Sequence, residues 1–324
     1  MNSYTWNTTA EEVAADCQDQ IANKTVLITG TTPKGLGATF AIIISKYGPA
    51  CIILATRDIT EAEKTAKDIA IVAPSVRTRV VEIDLASIDS VRRGANKINL
   101  LDEHIDVLVN NAGIMAPPFS KTTDDIERQF GTNQIGHFLL TNLLLPNMLA
   151  RKVPFRVVNV SSGGYRYSPV RFEDWSFDND KAYNRWIAYG QSKSANLLFS
   201  VALAHKFGKQ GLVSVSLHPG VIMTNLSRNL EMEAFEEIAQ FERTLGYKQF
   251  WDRPYEFKTP SQGVATHVFA AFHPSLDDPK LNGSYLVDSK VVEAGDIICW
   301  GRDPIDAQKL WELSENLVAQ KFGA

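Results

Sequence analysis

Short apolar runs alternate along the chain with longer, helix-compatible stretches. The short runs are mostly β-branched and apolar on both faces, as is typical of strands in a parallel sheet that helices cover. They occupy residues 25–29, 51–56, 79–83, 105–109, 156–160, 213–217 and 284–287. The helix-compatible stretches lie between them, at residues 36–46, 60–72, 87–98, 124–149 and 190–208.

This alternation predicts an α/β fold. We expect a single Rossmann-type doubly wound domain, with a mostly parallel sheet of about seven strands and helices on both faces. We see no internal repeat or low-complexity linker that would divide the chain, so we assign residues 24–324 to one domain and treat residues 1–23 as an N-terminal extension. Ligands of such sheets bind beyond the carboxyl ends of the strands, and functional residues are expected there.

Three glycines separate the first predicted strand from the helix that follows it. Gly30, Gly35 and Gly37 lie in VLITGTTPKGLGATF, residues 26–40. Backbone N–H groups and a helix N-terminus would bind an anion there, and glycines would let the backbone approach a pyrophosphate. A P-loop would need lysine and then serine or threonine after Gly35, whereas this chain has Leu36 and then glycine. On the loop alone, a glycine turn without a ligand stays open.

The end of the second predicted strand indicates which dinucleotide would bind. An NAD site has an acidic side chain here, which binds the ribose 2′-hydroxyl. This chain has Thr56 and Arg57 instead, and Lys34 in the glycine loop could reach the same group. Because arginine offers a bidentate fork to phosphate, these residues favour the 2′-phosphate of NADP(H). Two other interpretations stay open: Arg57 as a solvated surface residue, and Asp58 as the residue that binds the ribose.

Composition and charge exclude several other classes of protein. The net charge of −4 and the pI of about 5.9 argue against nucleic acid or an anionic membrane as the main partner. Cysteines and histidines are few and scattered, so we expect a reducing compartment, no disulfide framework and no metal. The polar N-terminus does not resemble a signal peptide, and no run of roughly 18 apolar residues predicts a transmembrane segment. We expect a cytoplasmic protein.

Four motifs together resemble the short-chain dehydrogenase/reductase family. They are TGTTPKGLG, NNAG at 110–113, YGQSK at 189–193 and HPGVIMT at 218–224, and the resemblance covers roughly residues 24–290. The segments RVVNVSS and AYNRWIAYGQSKSANLLF resemble retinol dehydrogenases, the oxidoreductase domain of the WW-domain oxidoreductase, and fungal relatives of these. One departure is visible, because this glycine loop has one residue more than the family's usual pattern.

The resemblance implies the site residues. The catalytic set would be Asn133, Ser162, Tyr189 and Lys193. Contacts to NADP(H) would come from Gly30, Thr32, Lys34, Gly35, Leu36, Gly37, Arg57, Asp84, Leu85, Asn110, Ala112, Gly113, Tyr189, Lys193, Pro219, Gly220, Val221 and Thr224. Asp84 would contact the adenine, Asn110 and its neighbours the adenosine ribose, and Pro219 and its neighbours the nicotinamide carboxamide and pyrophosphate.

Tyr189 and Lys193 are four residues apart, so they share one face of a predicted helix. Hydride transfer to a ketone leaves an alkoxide that needs a proton, and a tyrosine can donate it. An ordinary phenol has a pKa of about 10, and we expect the lysine ammonium and an oxidised nicotinamide to lower that pKa. Lys193 would also donate to the nicotinamide ribose. Such a pair alone also occurs on helix surfaces, so the interpretation depends on the serine that precedes it.

Ser161 and Ser162 follow the fifth predicted strand, where a hydroxyl can donate to a substrate carbonyl. The family pattern assigns that role to Ser162, and we interpret Ser161 as a cap or turn residue. Asn133 matches the family's helix asparagine. Its amide is expected to bind backbone and a water that links Lys193 to solvent. A buried polar residue satisfied by a neighbouring carbonyl is the alternative for Asn133.

Two aromatic-rich segments remain for the substrate. Residues 163–188 carry Trp175, Phe177, Tyr183 and Trp186, and residues 225–258 carry Leu226, Leu230, Phe235, Ile238, Phe241, Leu245 and Trp251. The second segment is either a substrate lid or a helix that packs on the core or on another subunit, so a homodimer stays open. A lid of this composition would suit a bulky apolar alcohol or carbonyl compound.

These observations predict an NADP(H)-dependent oxidoreductase that interconverts a hydrophobic alcohol and its ketone or aldehyde, with Tyr189 as the general acid and base. The alternative is a catalytically silent NADP(H)-binding regulator or scaffold that uses residues 225–258 to dock a protein. The complete set of catalytic residues argues against that alternative, because a sensor has no need of a proton donor.

Overall fold

Eight strands form one sheet in the order β3-β2-β1-β4-β5-β6-β7-β8 in the computed structural model, which describes residues 4–177, 182–224, 226, 232–247 and 256–323. Within 232–245, side chains are described from Glu236 onward. The strands are β1 (Thr25–Thr29), β2 (Cys51–Thr56), β3 (Arg77–Glu82), β4 (Val107–Asn110), β5 (Phe155–Val160), β6 (Leu212–His218), β7 (Tyr285–Val287) and β8 (Lys290–Val291).

Helices cover both faces of this sheet. They are α1 (Ala10–Asp16), α2 (Gln18–Ile21), α3 (Leu36–Ser45), α4 (Ile59–Val72), α5 (Ile88–Asn99), α6 (Arg128–Phe130), α7 (Gly136–Ala150), α8 (Arg185–Phe207), α9 (Met232–Leu245), α10 (Pro260–Phe272) and α11 (Pro304–Leu317). The predicted α/β fold is therefore confirmed, and each of the five predicted helical stretches contains a helix.

Strands β1 to β7 pair in parallel, and β8 pairs antiparallel with β7. The predicted number of strands is low by one. The additional strand, β8, is only two residues long and is separated from β7 by two residues. A hydrophobic pattern needs about four residues to indicate a strand, so β8 leaves no signal in the sequence.

Each face of the sheet has its own apolar core, because successive side chains of a strand point to opposite faces. In β1, Leu27 packs in the core formed with α5, α7, α8 and α11, whereas Val26 and Ile28 pack in the core formed with α1, α3, α4 and α10. Every residue of β1 is buried. Burial on both faces accounts for the continuous apolar run of this strand.

The residues before β1 include two helices, α1 and α2, that the sequence analysis did not predict, and α1 is the longer. Thr9 caps α1 in a capping box with Glu12, and the buried residues of α1 pack against α10. The Ala10 backbone N–H also donates to Ser261 at the start of α10. This helix lies among polar residues in the sequence, and only its inner face is apolar.

Helices α6 and α7 are joined by a π-helical turn, Gly131–Ile135. The predicted helix at 124–149 is therefore interrupted by one turn with an i→i+5 hydrogen-bond pattern. Such turns are frequent at functional sites, because they re-aim side chains within a helix. Asn133 lies in the middle of this turn.

Replacing Leu27 by alanine tests the central strand. We expect Leu27→Ala to lower the free energy of unfolding by about 2–5 kcal/mol, because it leaves a cavity between buried layers. Leu100→Ala is the matched control, since that side chain is 85% exposed and its loss should change stability by less than about 0.5 kcal/mol. Denaturant titration compares the variants, and equal unfolding midpoints would contradict the assignment of Leu27 to the core.

Candidate active site

The carboxyl ends of the parallel strands meet at one edge of the sheet, where the structure contains a cavity of about 440 Å³. Segments that follow six different strands line it. Representative residues, in strand order from β1 to β6, are Gly30, Arg57, Asp84, Gly113, Ser162 and Pro219. This is the position at which ligands bind to open parallel sheets.

The glycine loop turns sharply between β1 and α3. Gly30 has a φ of +75°, and a Cβ there would lie 2.8 Å from the Ala112 Cα. A Cβ on Gly37 would lie 2.4 Å from the Gly30 carbonyl oxygen, so helix and strand approach too closely for a side chain. Lys34, in the lengthened part of the loop, also adopts a positive φ of 65°. The extra residue thus leaves the close contact between Gly30 and Gly37 in place.

Helix α3 begins without a side-chain cap. Its N-cap residue is Gly35, whereas α4, α5, α8 and α10 are capped by Asp58, Ser87, Asn184 and Thr259. The first N–H groups of a helix need an acceptor. At α3, the loop and the helix N-terminus therefore form a site that fits an anion such as a pyrophosphate.

Two cationic residues lie close to this loop in the fold. Lys34 is part of the glycine loop, and Arg57 directly follows β2. Lys34 and Arg57 are both exposed, and neither forms an ion pair within the part of the chain that the structure describes. Asp58 lines the cavity, but its carboxylate accepts the Glu61 backbone N–H at 3.2 Å and so caps α4. The Asp58 carboxylate thus already has a structural partner.

Asn110 does not line the cavity, in contrast to the sequence-based expectation. Its side chain is 2% exposed and donates to Thr141 Oγ1 and Asn159 Oδ1 inside the sheet, where Asn110 and Asn159 are paired in register. The next residue, Asn111, lines the cavity, and its amide donates to the carbonyl oxygens of Thr29 and Gly30. Asn111 therefore holds the glycine loop against β4.

The sequence analysis missed a buried network centred on Thr29. The Thr29 hydroxyl oxygen accepts the backbone N–H groups of Asn111 and Ala112, each at 3.0 Å, and lies 2.9 Å from His137 Nε2. Burial lowers the pKa of His137 to about 4, so the imidazole is neutral. Its Nδ1 lies 3.0 Å from the Asn133 carbonyl oxygen, which can only accept. The proton is therefore on Nδ1, and Thr29 donates to Nε2.

Asn133 lies behind the cavity wall. Its Oδ1 accepts the Ile114 N–H at 2.8 Å, and its Nδ2 donates to the Ile114 carbonyl and to Ser192 Oγ. Both N–H bonds of the amide thus end on protein oxygens, so the amide has no N–H left for the water that the sequence analysis expected. Asn133 instead fixes the backbone at Ile114, which lines the cavity beside Gly113.

Ser162, Tyr189 and Lys193 meet at one point of the cavity wall. The side chains of Ser162 and Tyr189 are hydrogen-bonded to each other. The Lys193 ammonium donates to the Val160 carbonyl at 3.0 Å and lies 5.8 Å from the centre of the Tyr189 ring. Ser162 also accepts the Gly164 N–H at 3.1 Å, so it serves both as a turn residue and as a partner of the tyrosine. The structure thus brings three of the four expected catalytic side chains together.

Burial is the largest influence on the pKa values of Tyr189 and Lys193. It raises the pKa of Tyr189 to about 12, although the hydrogen bond with Ser162 lowers that pKa in part. It lowers the pKa of Lys193 to about 8. In the protein alone, the expected lowering of the tyrosine pKa is therefore outweighed by the loss of water around the ring. Near pH 7, Tyr189 is a neutral hydroxyl with a proton to donate, and Lys193 is mostly charged.

Ser161 has a structural position, as the sequence analysis expected. Its side chain is 2% exposed, and its hydroxyl donates to the Lys193 carbonyl oxygen at 2.8 Å. This contact joins the end of β5 to α8 at the position of Lys193. Ser161 thereby helps to set the distance between the strand that carries Ser162 and the helix that carries Tyr189.

Most of the expected cofactor residues line the cavity. The list comprises Gly30, Thr32, Gly35, Leu36, Arg57, Asp84, Leu85, Ala112, Gly113, Tyr189, Lys193, Pro219, Gly220, Val221 and Thr224. Lys34, Gly37 and Asn110 do not line it. Lys34 points to solvent at its rim, Gly37 is packed under the glycine loop, and Asn110 is engaged in the sheet.

The other end of the cavity has a largely apolar wall, to which Met115, Trp186, Met223, Leu226, Ile238 and Phe257 contribute. Of the four aromatic residues expected from 163–188, Trp186 alone lines the cavity. Trp175 packs on Phe130, and Phe177 packs on Tyr183. In the second segment, Leu230 and Trp251 and the side chain of Phe235 lie outside the described residues.

In the described ranges, no helix is both long and apolar enough to cross a membrane. Over the same ranges, no group of three histidine, cysteine, aspartate or glutamate side chains could hold a metal ion.

Comparisons with known proteins agree with this geometry. The family model described as short chain dehydrogenase matches residues 24–173. Retinol dehydrogenase 14 of Mus musculus is 36% identical over 305 residues, which cover 91% of this chain and 86% of that protein. Retinol dehydrogenase 13 of Mus musculus is 42% identical over 266 residues, with 82% and 76% covered. A solved structure of an uncharacterised protein from Mycobacterium paratuberculosis is 31% identical, with a TM-score of 0.70 and coverage of 94% of this chain and 96% of that one.

Strand order, cavity position and sequence similarity lead to one class. The chain belongs to the short-chain dehydrogenase/reductase family, whose members are oxidoreductases that bind nicotinamide cofactors. Its similarity to retinol dehydrogenases confirms the predicted branch of that family.

Removing the Thr29 hydroxyl tests the buried network. Thr29→Val keeps the shape of the side chain but removes the acceptor of the Ala112 N–H and the donor to His137 Nε2, while the Asn111 N–H keeps the Val109 carbonyl as an acceptor. We expect a loss of about 1–3 kcal/mol in the free energy of unfolding. Thr25→Val, on the same strand, is the control, because the Thr25 hydroxyl binds no group of the described residues. Denaturant titration measures both variants, and equal stability would show that the network does not hold the turn.

Proposed function

We propose that the protein is an NADP(H)-dependent oxidoreductase that interconverts a hydrophobic alcohol and its ketone or aldehyde. One observation carries this proposal. Ser162, Tyr189 and Lys193 meet in a cavity that has exposed cations near one end and apolar side chains at the other. When bound, the cofactor would give or take the hydride, and the residues of this chain would bind the substrate and move the proton.

Several features of the cofactor end support NADP(H). The uncapped N-terminus of α3 and the tight glycine loop suit a pyrophosphate. Arg57 and Lys34 would bind the 2′-phosphate, for which the planar guanidinium of the arginine is well matched. Asp58 is engaged as the cap of α4, which favours the phosphate over the ribose hydroxyl as the group that is recognised.

The protonation states support Tyr189 as the acid in carbonyl reduction. At neutral pH its hydroxyl carries the proton that the product alkoxide needs. Ser162, hydrogen-bonded to Tyr189, is placed to donate to the substrate carbonyl and stabilise the developing charge. Lys193 would bind the nicotinamide ribose and favour the phenolate that remains after proton transfer. Asn133 acts as a positioning residue for the wall at Ile114.

The substrate end supports an apolar substrate. Side chains of Met115, Trp186 and Ile238 offer contact area but few hydrogen bonds. The curated relatives are named as retinol dehydrogenases, and retinol is itself a largely apolar alcohol. We further propose a reducing, cytoplasmic location, in keeping with Cys17 and Cys51, which are free and buried.

Tyr189→Phe tests the proton donor. We expect NADPH to bind within about twofold of the wild-type affinity, and kcat to fall by about 100- to 10,000-fold, because only the acid is removed. The assay is consumption of NADPH with a panel of hydrophobic aldehydes and ketones, together with an equilibrium titration of NADPH.

Tyr47→Phe serves as the control, since the Tyr47 hydroxyl donates to the Glu11 carbonyl and has no part in the cavity. Near-normal turnover by Tyr189→Phe would remove the residue from its proposed role. NADPH binding without turnover of any carbonyl by the wild type would favour the regulator over the enzyme.

Arg57→Ala tests cofactor choice. A charge-assisted hydrogen bond contributes about 1.5–3 kcal/mol, and exposure to solvent places this one near the lower limit. We therefore expect about a tenfold higher KM for NADPH and little change for NADH, which has no 2′-phosphate. Thr56→Asp should go further, because its carboxylate would repel the phosphate and accept from the ribose hydroxyl.

Both cofactors are assayed at one ionic strength, with Arg93→Ala as the control for loss of an exposed arginine. A wild-type preference for NADH would contradict the proposal and make Asp58 the residue that binds the ribose.

A further inference from the structure

Helix α9 carries a buried carboxylate into the substrate end of the cavity. Glu242 is 1% exposed and lines the cavity. Its Oε1 accepts a hydrogen bond from the Tyr167 hydroxyl. Its Oε2 is buried and has no hydrogen-bond partner among the residues that the structure describes. One strong acceptor therefore stands without a donor in a largely apolar wall.

An unpaired donor lies in the same wall. Trp186 is 2% exposed and lines the cavity, and its indole Nε1–H has no acceptor within the described ranges. Its ring packs in one cluster with Ile238 and Phe241 of α9. Ile238 lies one helical turn before Glu242, and Phe241 is its immediate neighbour in the chain. The two unpaired groups thus belong to neighbouring parts of the wall.

Leaving such groups unpaired costs free energy, so each one needs an explanation. A ligand that supplies the missing partners would remove the cost when it binds. A carboxylate oxygen can only accept, and an indole N–H can only donate. A hydroxyl group does both, so a single ligand hydroxyl matches the two unpaired groups together.

Charge near Glu242 favours a neutral ligand group. The Arg166 guanidinium is close enough to lower the pKa of Glu242, as does the Tyr167 hydrogen bond, although burial raises that pKa more strongly. A ligand ammonium would therefore meet a carboxylate whose charge is already partly balanced. A hydroxyl needs no counter-charge and fits this environment better.

The unpaired groups lie close to the reacting centre. A Cβ built on Gly164 would lie 2.9 Å from Tyr189 Cε1 and 3.2 Å from Tyr167 Cε2, so the two tyrosine rings flank this glycine. Tyr167 therefore joins the proton donor on one side to Glu242 on the other. The cavity wall that contains Glu242 also contains the apolar side chains of Met115 and Ile238, which a spacer between the reacting carbon and a second polar group would contact.

We propose that Glu242 and Trp186 bind a second oxygen of the substrate, a hydroxyl separated from the reacting carbon by an apolar spacer. The proposal rests on the proposed function and narrows it. The substrate is an apolar hydroxy-aldehyde or hydroxy-ketone, or the corresponding diol. Tyr167 is a positioning residue that orients the carboxylate.

The test uses three series of aliphatic aldehydes and matching ketones with eight, ten and twelve carbons. Each series has one chain length, and its members differ only in the group at the end remote from the carbonyl, which is methyl, methoxy or hydroxyl. Methoxy accepts a hydrogen bond and hydroxyl both accepts and donates, so the comparison separates the two contacts. For each compound, kcat/KM is measured with NADPH, and the dissociation constant is measured by calorimetry without cofactor.

For the wild type we expect the hydroxyl compound to bind about tenfold more tightly than the methoxy compound at the best chain length, with the same order in kcat/KM. Glu242→Gln replaces the acceptor by a carboxamide that can donate, so the ratio of hydroxyl to methoxy should fall towards one. Trp186→Phe removes the indole donor, so it should reduce the ratio by which the methoxy compound binds more tightly than the methyl compound. Glu236→Gln, an exposed carboxylate on the same helix, should leave all ratios unchanged.

Equal dissociation constants for hydroxyl and methoxy compounds at every length would overturn the proposal. A hydroxyl-to-methoxy ratio that is the same in Glu242→Gln as in the wild type would also overturn the proposal. Because the calorimetric measurement needs no turnover, it separates this proposal from the proposed reaction. Selective binding of the hydroxyl compounds without NADPH consumption would support the subsite and contradict the oxidoreductase activity.

Discussion

The parallel pairing of β1 to β7 is the constraint on which the site depends. Parallel strands need crossover connections, so each strand leaves the sheet at the same edge and the chain returns through a helix. The segments that follow β1 to β6 therefore converge whatever their side chains are, and the cavity is built from their turns. Thr29 shows how the convergence is held, since one hydroxyl joins the end of β1 to the turn after β4 and, through His137, to the π-helical turn.

Burial shifts the pKa values of Tyr189 and Lys193 in opposite directions for the same physical reason. Low polarity disfavours any charge, so it raises the pKa of Tyr189 and lowers that of Lys193. The Val160 carbonyl accepts from the ammonium and keeps it in place. The resting combination is a neutral phenol beside a mostly protonated amine, which is the state that the proposed donation of a proton to an alkoxide requires. Little solvent screens the Lys193 ammonium from a Tyr189 phenolate, so the ammonium would stabilise that phenolate strongly once it forms.

Much of the fold could be predicted because each buried strand repeats the same pattern, and β2 begins and ends where the pattern placed it. The shared helix of Tyr189 and Lys193 could be predicted because their spacing is local. The features that the sequence did not indicate depend on side-chain direction or on distant partners. Strand geometry turns Asn110 into the sheet towards Asn159, and the sequence alone does not show which of two adjacent asparagines lines the cavity. Thr29 and His137 lie far apart in the chain, and no local motif joins them.

The geometry of α8 links the chemistry to the choice of substrate. Trp186, Tyr189 and Lys193 are separated by three and then four residues, so they lie along one face of a single helix. The helix rises about 1.5 Å per residue, which places the first and last of them about 10 Å apart along its axis. The proposed substrate contact, proton donor and cofactor contact are thus set in order by one rigid element. A substrate that binds as proposed, at both Trp186 and Tyr189, would therefore span two contacts whose separation is set by this one helix.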